Sequence, residues 1–231
     1  MYSDLQEYFP MLLTNPLFEG ISESQLPLVL QTLESYTKGY AKESFVKNSG
    51  EAADFIAIVL SGEVYLCQND YYGNRTIIAS LTTGSLFGEA FVCSGIPTLP
   101  MDIWAASDCH ILFLQSPLIP HRCDGKCDFY HRLITNLLGI VARKNLYLNQ
   151  KLSYASKRTT REKLLAYLSD QAQKNHSNQF VIPFNRQGLA DFLGVERSAM
   201  SAELGKLVKE GILETKKNRF RLLGDSGDRS I

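Results

Sequence analysis

Residues 185–213 read NRQGLADFLGVERSAMSAELGKLVKEGIL, and their apolar spacing decides the architecture of the C-terminal third. Leu189, Phe192 and Leu193 share one face of a helix over Arg186–Leu193. Gly194 follows, and glycine takes φ > 0 without steric cost, which permits a tight turn. Met200, Leu204, Leu207 and Val208 then share one face of a second helix over Arg197–Lys209. Arg197, Ser198, Ser201, Ala202 and Lys206 are left on the opposite face. Two short helices about such a turn predict a helix-turn-helix, whose second helix enters the major groove of DNA.

The residues around this core carry matching chemistry. Arg197 stands at the start of the second helix, where a guanidinium can donate two hydrogen bonds to guanine O6 and N7. Such a pair supplies about 1–3 kcal/mol of discrimination. Ser198 and Ser201 are small hydrogen-bonding groups on the same face. Arg186, Gln187, Lys216, Lys217, Arg219 and Arg221 are expected to meet phosphates, which position a protein without reading sequence. The last four lie in ILETKKNRFRLL, a predicted hairpin where a wing would be. A short strand, FVIPF, and a helix, REKLLAYLSDQAQ, precede the helix pair. The polar tail GDSGDRSI is expected to be disordered. A plain helical hairpin would show the same apolar spacing, but the strand, the basic hairpin and the charge distribution together favour DNA.

That distribution is hidden by a net charge of zero. Residues 1–152 carry 10 Lys/Arg against 15 Asp/Glu, and residues 153–231 carry 14 against 9, so the balance moves from −5 to +5. Charge asymmetry of this kind points to one half meeting a polyanion. At 231 residues, 45% hydrophobic and 21% charged, the chain suits one large domain or two modest ones. No apolar run reaches the roughly 18 residues of a membrane helix, and the mixed, acidic N-terminus lacks the pattern of a signal peptide. Five cysteines at irregular spacing do not form a disulfide framework, and a cytoplasmic location is expected.

Upstream, residues 14–35 read as short helices punctuated by Pro16, Gly20 and Pro27. From Tyr40 to about Leu114 short apolar runs alternate with Gly, Asn and Asp turns. FIAIVLSGEVYLCQ holds two strands about Ser61-Gly62-Glu63, and NDYYGN is a hairpin loop before RTIIASL. Many short strands at this spacing predict a sandwich or barrel. Phe129 to about Ser153 runs at helical period without proline. Its residues Ile134, Leu138, Val141, Asn145, Leu148 and Leu152 step by four and three, an a/d seam. Such a stripe can be an intrachain core face; the length of the helix and the mid-seam Asn145, which can fix register, favour a dimer interface.

Taken together these motifs resemble the Crp–Fnr family of bacterial transcription regulators. NRQGLADFLGVERSAMSAELGKL is similar to its helix-turn-helix. LSGEVYL, DYYGNRTIIASL, GSLFGEA and ASDC are similar, in family order, to its cyclic-nucleotide-binding-type β-roll. The resemblance spans roughly residues 17–223. It implies an α+β chain with an antiparallel, jelly-roll-type β-roll for sensing (1–125), a central dimerisation helix (126–153) and a winged helix-turn-helix (154–231). It further implies a homodimer that binds a pseudo-palindromic site in double-stranded DNA and recruits or blocks RNA polymerase. Arg197 matches the family's base-reading arginine, whereas Ser198 and Ala202 stand where cyclic-AMP-type members often carry glutamate and arginine. A different half-site is therefore expected.

The resemblance breaks at the effector. In cyclic-nucleotide-binding members, an arginine and then Ser or Thr follow the Gly-Glu pair after about ten residues, and the arginine neutralises the cyclic phosphate. Gly88 and Glu89 match, followed by Ala90, but Leu99 and Pro100 occupy the later positions, and no Arg or Lys stands between Arg75 and Arg122. A buried phosphate without a cation costs several kcal/mol, by order of magnitude, so cyclic AMP and cyclic GMP are not expected effectors. Glu89 is open to two roles, bonding loop amides or touching a ligand. Phe87, Phe91, Met101, Ile103 and Trp104 either line an apolar pocket for an uncharged or aromatic molecule or form plain core.

Cys123 and Cys127, flanked by His121 and His131, offer a rival metal or thiol site, although Asp-Gly within the motif also reads as a simple turn. No metal site is assigned on this weak spacing. The alternative class of function is a metal- or ligand-binding β-roll protein whose C-terminal module binds a protein partner. An enzyme is not expected: His110, His121, His131 and His176 are the only histidines, no H-x-H pair falls in the strand region, and no P-loop occurs.

Overall fold

The computed structural model describes residues 3–69, 72, 75–115 and 128–223. Two compact units form, residues 1–143 and 144–231. In the first, the chain enters through a 3-10 turn and helix α1 (Phe9–Thr14), a second 3-10 turn and α2 (Leu26–Thr32). Strands β1 (Tyr36–Tyr40), β2 (Phe45–Lys47), β3 (Ile56–Ser61), β4 (Glu63–Asn69), β5 (Arg75–Thr82) and β6 (Leu86–Phe87) follow. A short helix α3 (Glu89–Ser94) separates them from β7 (Asp102–Ala105) and β8 (Cys109–Leu114). These strands form two sheets of four, ordered β1-β8-β3-β6 and β2-β7-β4-β5, with every pairing antiparallel.

Strand alternation explains how the two sheets share a core. Ala57 and Val59 of β3, Ile111 and Phe113 of β8, Val64 of β4 and Ile103 and Ala105 of β7 meet in one buried cluster between the sheets. The other face of β3 and β8 presents Ile56, Ile58, Leu60, Leu112 and Leu114 to a second cluster. Leu12, Leu17, Leu26, Leu30 and the first turns of the long helix α4 (Asp128–Ala155) cover it with Phe129, Leu133, Leu137 and Ile140. β3 is thus buried on both faces, which is why IAIVL reads as a continuous apolar run rather than an alternating one.

Ser61-Gly62-Glu63 joins two strands, as expected, and carries the chain between sheets: β3 belongs to one sheet and β4 to the other. Gly62 makes this transfer at φ 84°, where an added Cβ would strike the backbone oxygen of Asp108. Glu89–Ser94, placed within a run of strands, is helical.

The second unit contains the rest of α4, α5 (Thr160–Lys174), β9 (Gln179–Val181), α6 (Arg186–Leu193), α7 (Arg197–Lys209), β10 (Leu213–Lys216) and β11 (Arg219–Leu222). Thr159 and Glu162 form a capping box at the start of α5. Sheet β10-β11-β9 and the three helices enclose Leu164, Leu168, Leu189, Leu193, Met200, Leu204, Leu207, Leu213 and Phe220. Among the described residues no helix is long and apolar enough to cross a membrane.

Candidate nucleic-acid interface and sensor cleft

Helices α6 and α7 have the predicted bounds because local groups start and stop them. Asn185 caps α6, its side chain accepting from the Gly188 amide at 2.8 Å. Gly194 ends it in the left-handed region, φ 60° and ψ 50°. Glu196 caps α7, accepting from the Ser198 amide at 2.8 Å and from the Ser198 hydroxyl at 2.6 Å. Those hydrogen bonds, the hydroxyl's foremost, hold the Glu196 carboxyl below its ordinary value. Met200, Leu204 and Leu207 are buried beneath α7, so Arg197, Ser198, Ser201, Ala202 and Lys206 all stand exposed.

A cleft of about 680 Å³ opens beside the start of α7. It is lined by Arg186, Gln187, Arg197, Lys217, Asn185 and Asn218, with Pro183 and Phe184. Three cations and three amides round one concavity suit an anionic backbone. The expected phosphate contacts do not all gather there. Lys216, Arg219 and Arg221 lie on the outer face of the wing sheet beside Glu214, which pairs with Arg221 at 3.6 Å. Arg186 is engaged by its own fold: its guanidinium lies 5.2 Å from the Phe220 ring centre and donates to the Thr215 hydroxyl at 3.0 Å. Burial holds its pKa below the ordinary arginine value. Gln187 donates to Asp191 at 2.8 Å, and Lys206 pairs with Glu203 at 3.2 Å.

Sequence inspection did not single out the groups that hold α7 in place. Arg161 of α5 pairs with Glu203 at 3.3 Å and with Glu210 at 2.5 Å, at the middle and the end of α7. Beneath α6, Phe192 has Tyr147, Tyr154, Tyr167 and Phe184 within 6.0 Å, centroid to centroid. Tyr154 donates to Asp170 at 2.6 Å, anchoring the end of α4. Apart from Phe184, which stands 8 residues before Phe192, these partners are 16 or more residues apart in sequence, and periodicity alone carries no sign of them.

Along α4 the two apolar stripes separate cleanly. Leu133, Leu137 and Ile140 are buried, whereas Leu138, Leu148 and Leu152 of the seam are 68%, 61% and 66% exposed. Ile134 and Val141 are half-buried, and Asn145 is exposed, accepting from Asn149 at 2.7 Å.

In the roll, Gly88 turns the chain into α3 at φ 87°, with Phe55 O only 2.5 Å from where a Cβ would stand. Glu89 is 4% exposed. Leu99 is 2% exposed and packs in the core between the sheets, while its backbone pairs with Gly50 and Glu51 at 2.8 Å. Ala90 and Pro100 are exposed and Met101 is half-buried. Trp104 does not join them. Its neighbours Ile103 and Ala105 point inward, so its ring lies on the outer face, edge-on to Phe45 at 4.5 Å and under the Arg75 guanidinium at 4.1 Å. A cleft of about 290 Å³ lies instead between α3 and strands β3 and β8, lined by Phe91, Val92, Ile96, Pro97, Asp54 and Gln115 among others. None of Gly88, Glu89, Ala90, Leu99, Pro100, Met101 and Trp104 lines it. Cys123 and Cys127 lie outside the described residues, as does His121; His131 is exposed on α4.

Comparison with known proteins decides the family. Residues 37–119 match the cyclic nucleotide-binding domain model, and residues 162–224 match the Crp-like helix-turn-helix domain model. The chain belongs to the Crp–Fnr family. It is 26% identical to the transcriptional activator protein FnrL of Cereibacter sphaeroides, over 87% of this chain and 85% of that protein. It is 23% identical to the nitrogen fixation regulation protein FixK of Azorhizobium caulinodans, over 80% of this chain and 74% of that protein. Among solved structures, CprK complexed with OCPA shares the fold of this chain at TM-score 0.54 and 15% identity, over 84% of this chain and 88% of that one. The chain is a DNA-binding transcription regulator of the Crp–Fnr type.

Proposed function

We propose that this regulator is a sequence-specific homodimer, gated by a signal other than cyclic AMP that acts on residues 1–125. Residues 126–153 join the two copies, and residues 154–231 read a pseudo-palindromic operator, from which the dimer recruits or blocks RNA polymerase in the cytoplasm. The observation that carries the DNA part is the exposed face of α7 beside the cleft lined by Arg186, Arg197 and Lys217. A recognition helix presents its first turn to base edges while flanking cations meet phosphates. Ser198 and Ser201 add hydrogen-bonding groups, and Ala202 leaves room beside them. Lys216, Arg219 and Arg221 extend the cationic surface onto the wing.

The effector reading rests on Leu99. A cyclic phosphate needs a cation beside the Gly88-Glu89 turn, and the position that would supply it carries an alkyl side chain packed in the core. The cleft beside α3 has Asp54 and Gln115 as its polar residues, which suits an uncharged or apolar molecule better than an anion. A thermal-shift titration tests this. Cyclic AMP and cyclic GMP should leave the melting temperature unchanged, because only a ligand bound by the folded state raises it. A large, saturable rise with cyclic AMP would overturn the exclusion. Arg197→Ala should lose about tenfold or more of operator preference, with a smaller loss on random duplex. Equal loss on both would make Arg197 a phosphate contact.

A further inference from the structure

The cap of α7 fixes the hydrogen-bonding polarity of one of its exposed side chains. A serine hydroxyl carries one hydrogen and two lone pairs, so an unconstrained serine can both give and take, and it discriminates poorly among bases. Ser198 is constrained. Its amide and its hydroxyl both point to the Glu196 carboxylate, at 2.8 and 2.6 Å. An ionised carboxylate has no hydrogen to offer, so the hydroxyl must be the donor. The remaining capacity of Ser198 Oγ is to accept. Ser198 is exposed and lies in the first turn of α7 beside Arg197, where a recognition helix meets base edges.

We infer that Ser198 reads DNA as an acceptor only, so the base facing it carries an exocyclic amino group, adenine N6 or cytosine N4, in place of the carbonyl of guanine or thymine. Glu196 is the positioning residue: it sets the polarity of the contact by taking the hydroxyl hydrogen. The inference rests on the DNA-reading function proposed above.

The test is selection of bound duplexes from a library randomised through the operator, with the full chain and its variants Ser198→Ala, Ser198→Thr and Glu196→Gln. The wild type should enrich A or C over G or T at one position per half-site by about fivefold, the worth of one hydrogen bond. Ser198→Ala should erase that preference and leave flanking positions unchanged. Ser198→Thr should keep it, since threonine presents the same hydroxyl. Glu196→Gln should bring amino and keto bases towards parity, because the glutamine amide can donate and release the hydroxyl hydrogen; a change in helix stability alone would not alter base polarity. A keto base at the Ser198-dependent position, or a preference that survives Glu196→Gln, overturns the inference. So does an enriched operator in which no position responds to Ser198→Ala, which would leave the regulator function standing. If the wild type enriches no duplex, both fall together.

Discussion

Gly205 and Gly88 are opposite cases of one residue type. Gly205 sits in the interior of α7, and a Cβ added there meets nothing within 4 Å. Gly205→Ala should therefore raise stability by about 0.5–1 kcal/mol, the helix-propensity difference, measured by denaturant unfolding. Gly88 combines φ 87° with the close Phe55 carbonyl, so Gly88→Ala should lower it by about 2 kcal/mol. Tyr154 carries a different kind of stabilisation. Its hydroxyl bonds Asp170, and Tyr154→Phe should destabilise residues 144–231 by about 1 kcal/mol. Burial pushes Tyr154 above the ordinary 10.0, with Asp170 adding to the effect, and burial pushes Tyr167 up to about 12. Both hold their protons more tightly folded than unfolded. Their contribution is complete below pH 10 and should decline as the pH rises above it, detectable as a falling melting temperature in alkaline buffer.

Among the elements, α4 makes the sharpest claim. Its exposed leucines, Leu138 in the first unit and Leu148 and Leu152 in the second, lie on either side of the exposed, polar Asn145 along the helix. Leu138→Lys with Leu148→Lys should convert the protein from dimer to monomer at micromolar concentration, read by sedimentation. A wild type that is itself monomeric would sink the seam. Helices were the most legible elements in the sequence, because period and turn residues act within a few positions: apolar spacing and Gly194 sufficed to bound α6 and α7, and the structure adds Asn185 and Glu196 as their caps. α3 escaped notice because its 6 residues are too few to show a period. The transfer of β4 to the second sheet escaped it because pairing is decided by distant strands. The exposed face proposed to meet DNA was legible to the same degree. Arg197 and the serines follow from the face of one helix, whereas the tie of Arg186 to Thr215 and Phe220 depends on residues far along the chain.

For the whole molecule, charge is the relevant quantity. The swing from −5 before residue 153 to +5 after it points to the part bearing α7 as the one that attracts a polyanion. Retention on duplex DNA should fall linearly on a log–log plot of affinity against salt, with a slope near −0.9 for each phosphate neutralised. Lys217→Ala should make that slope shallower by about one if Lys217 meets a phosphate. A slope near zero for the wild type would argue against backbone contact altogether. Strand β3 has a consequence of its own. It is a single partition with tenants on both sides: Ala57 and Val59 belong to the interior of the roll, while Ile56, Ile58 and Leu60 belong to the layer where α4 begins. A partition one strand thick cannot bow into one room without leaving the other, so packing inside the roll and packing under the first turns of α4 constrain one another.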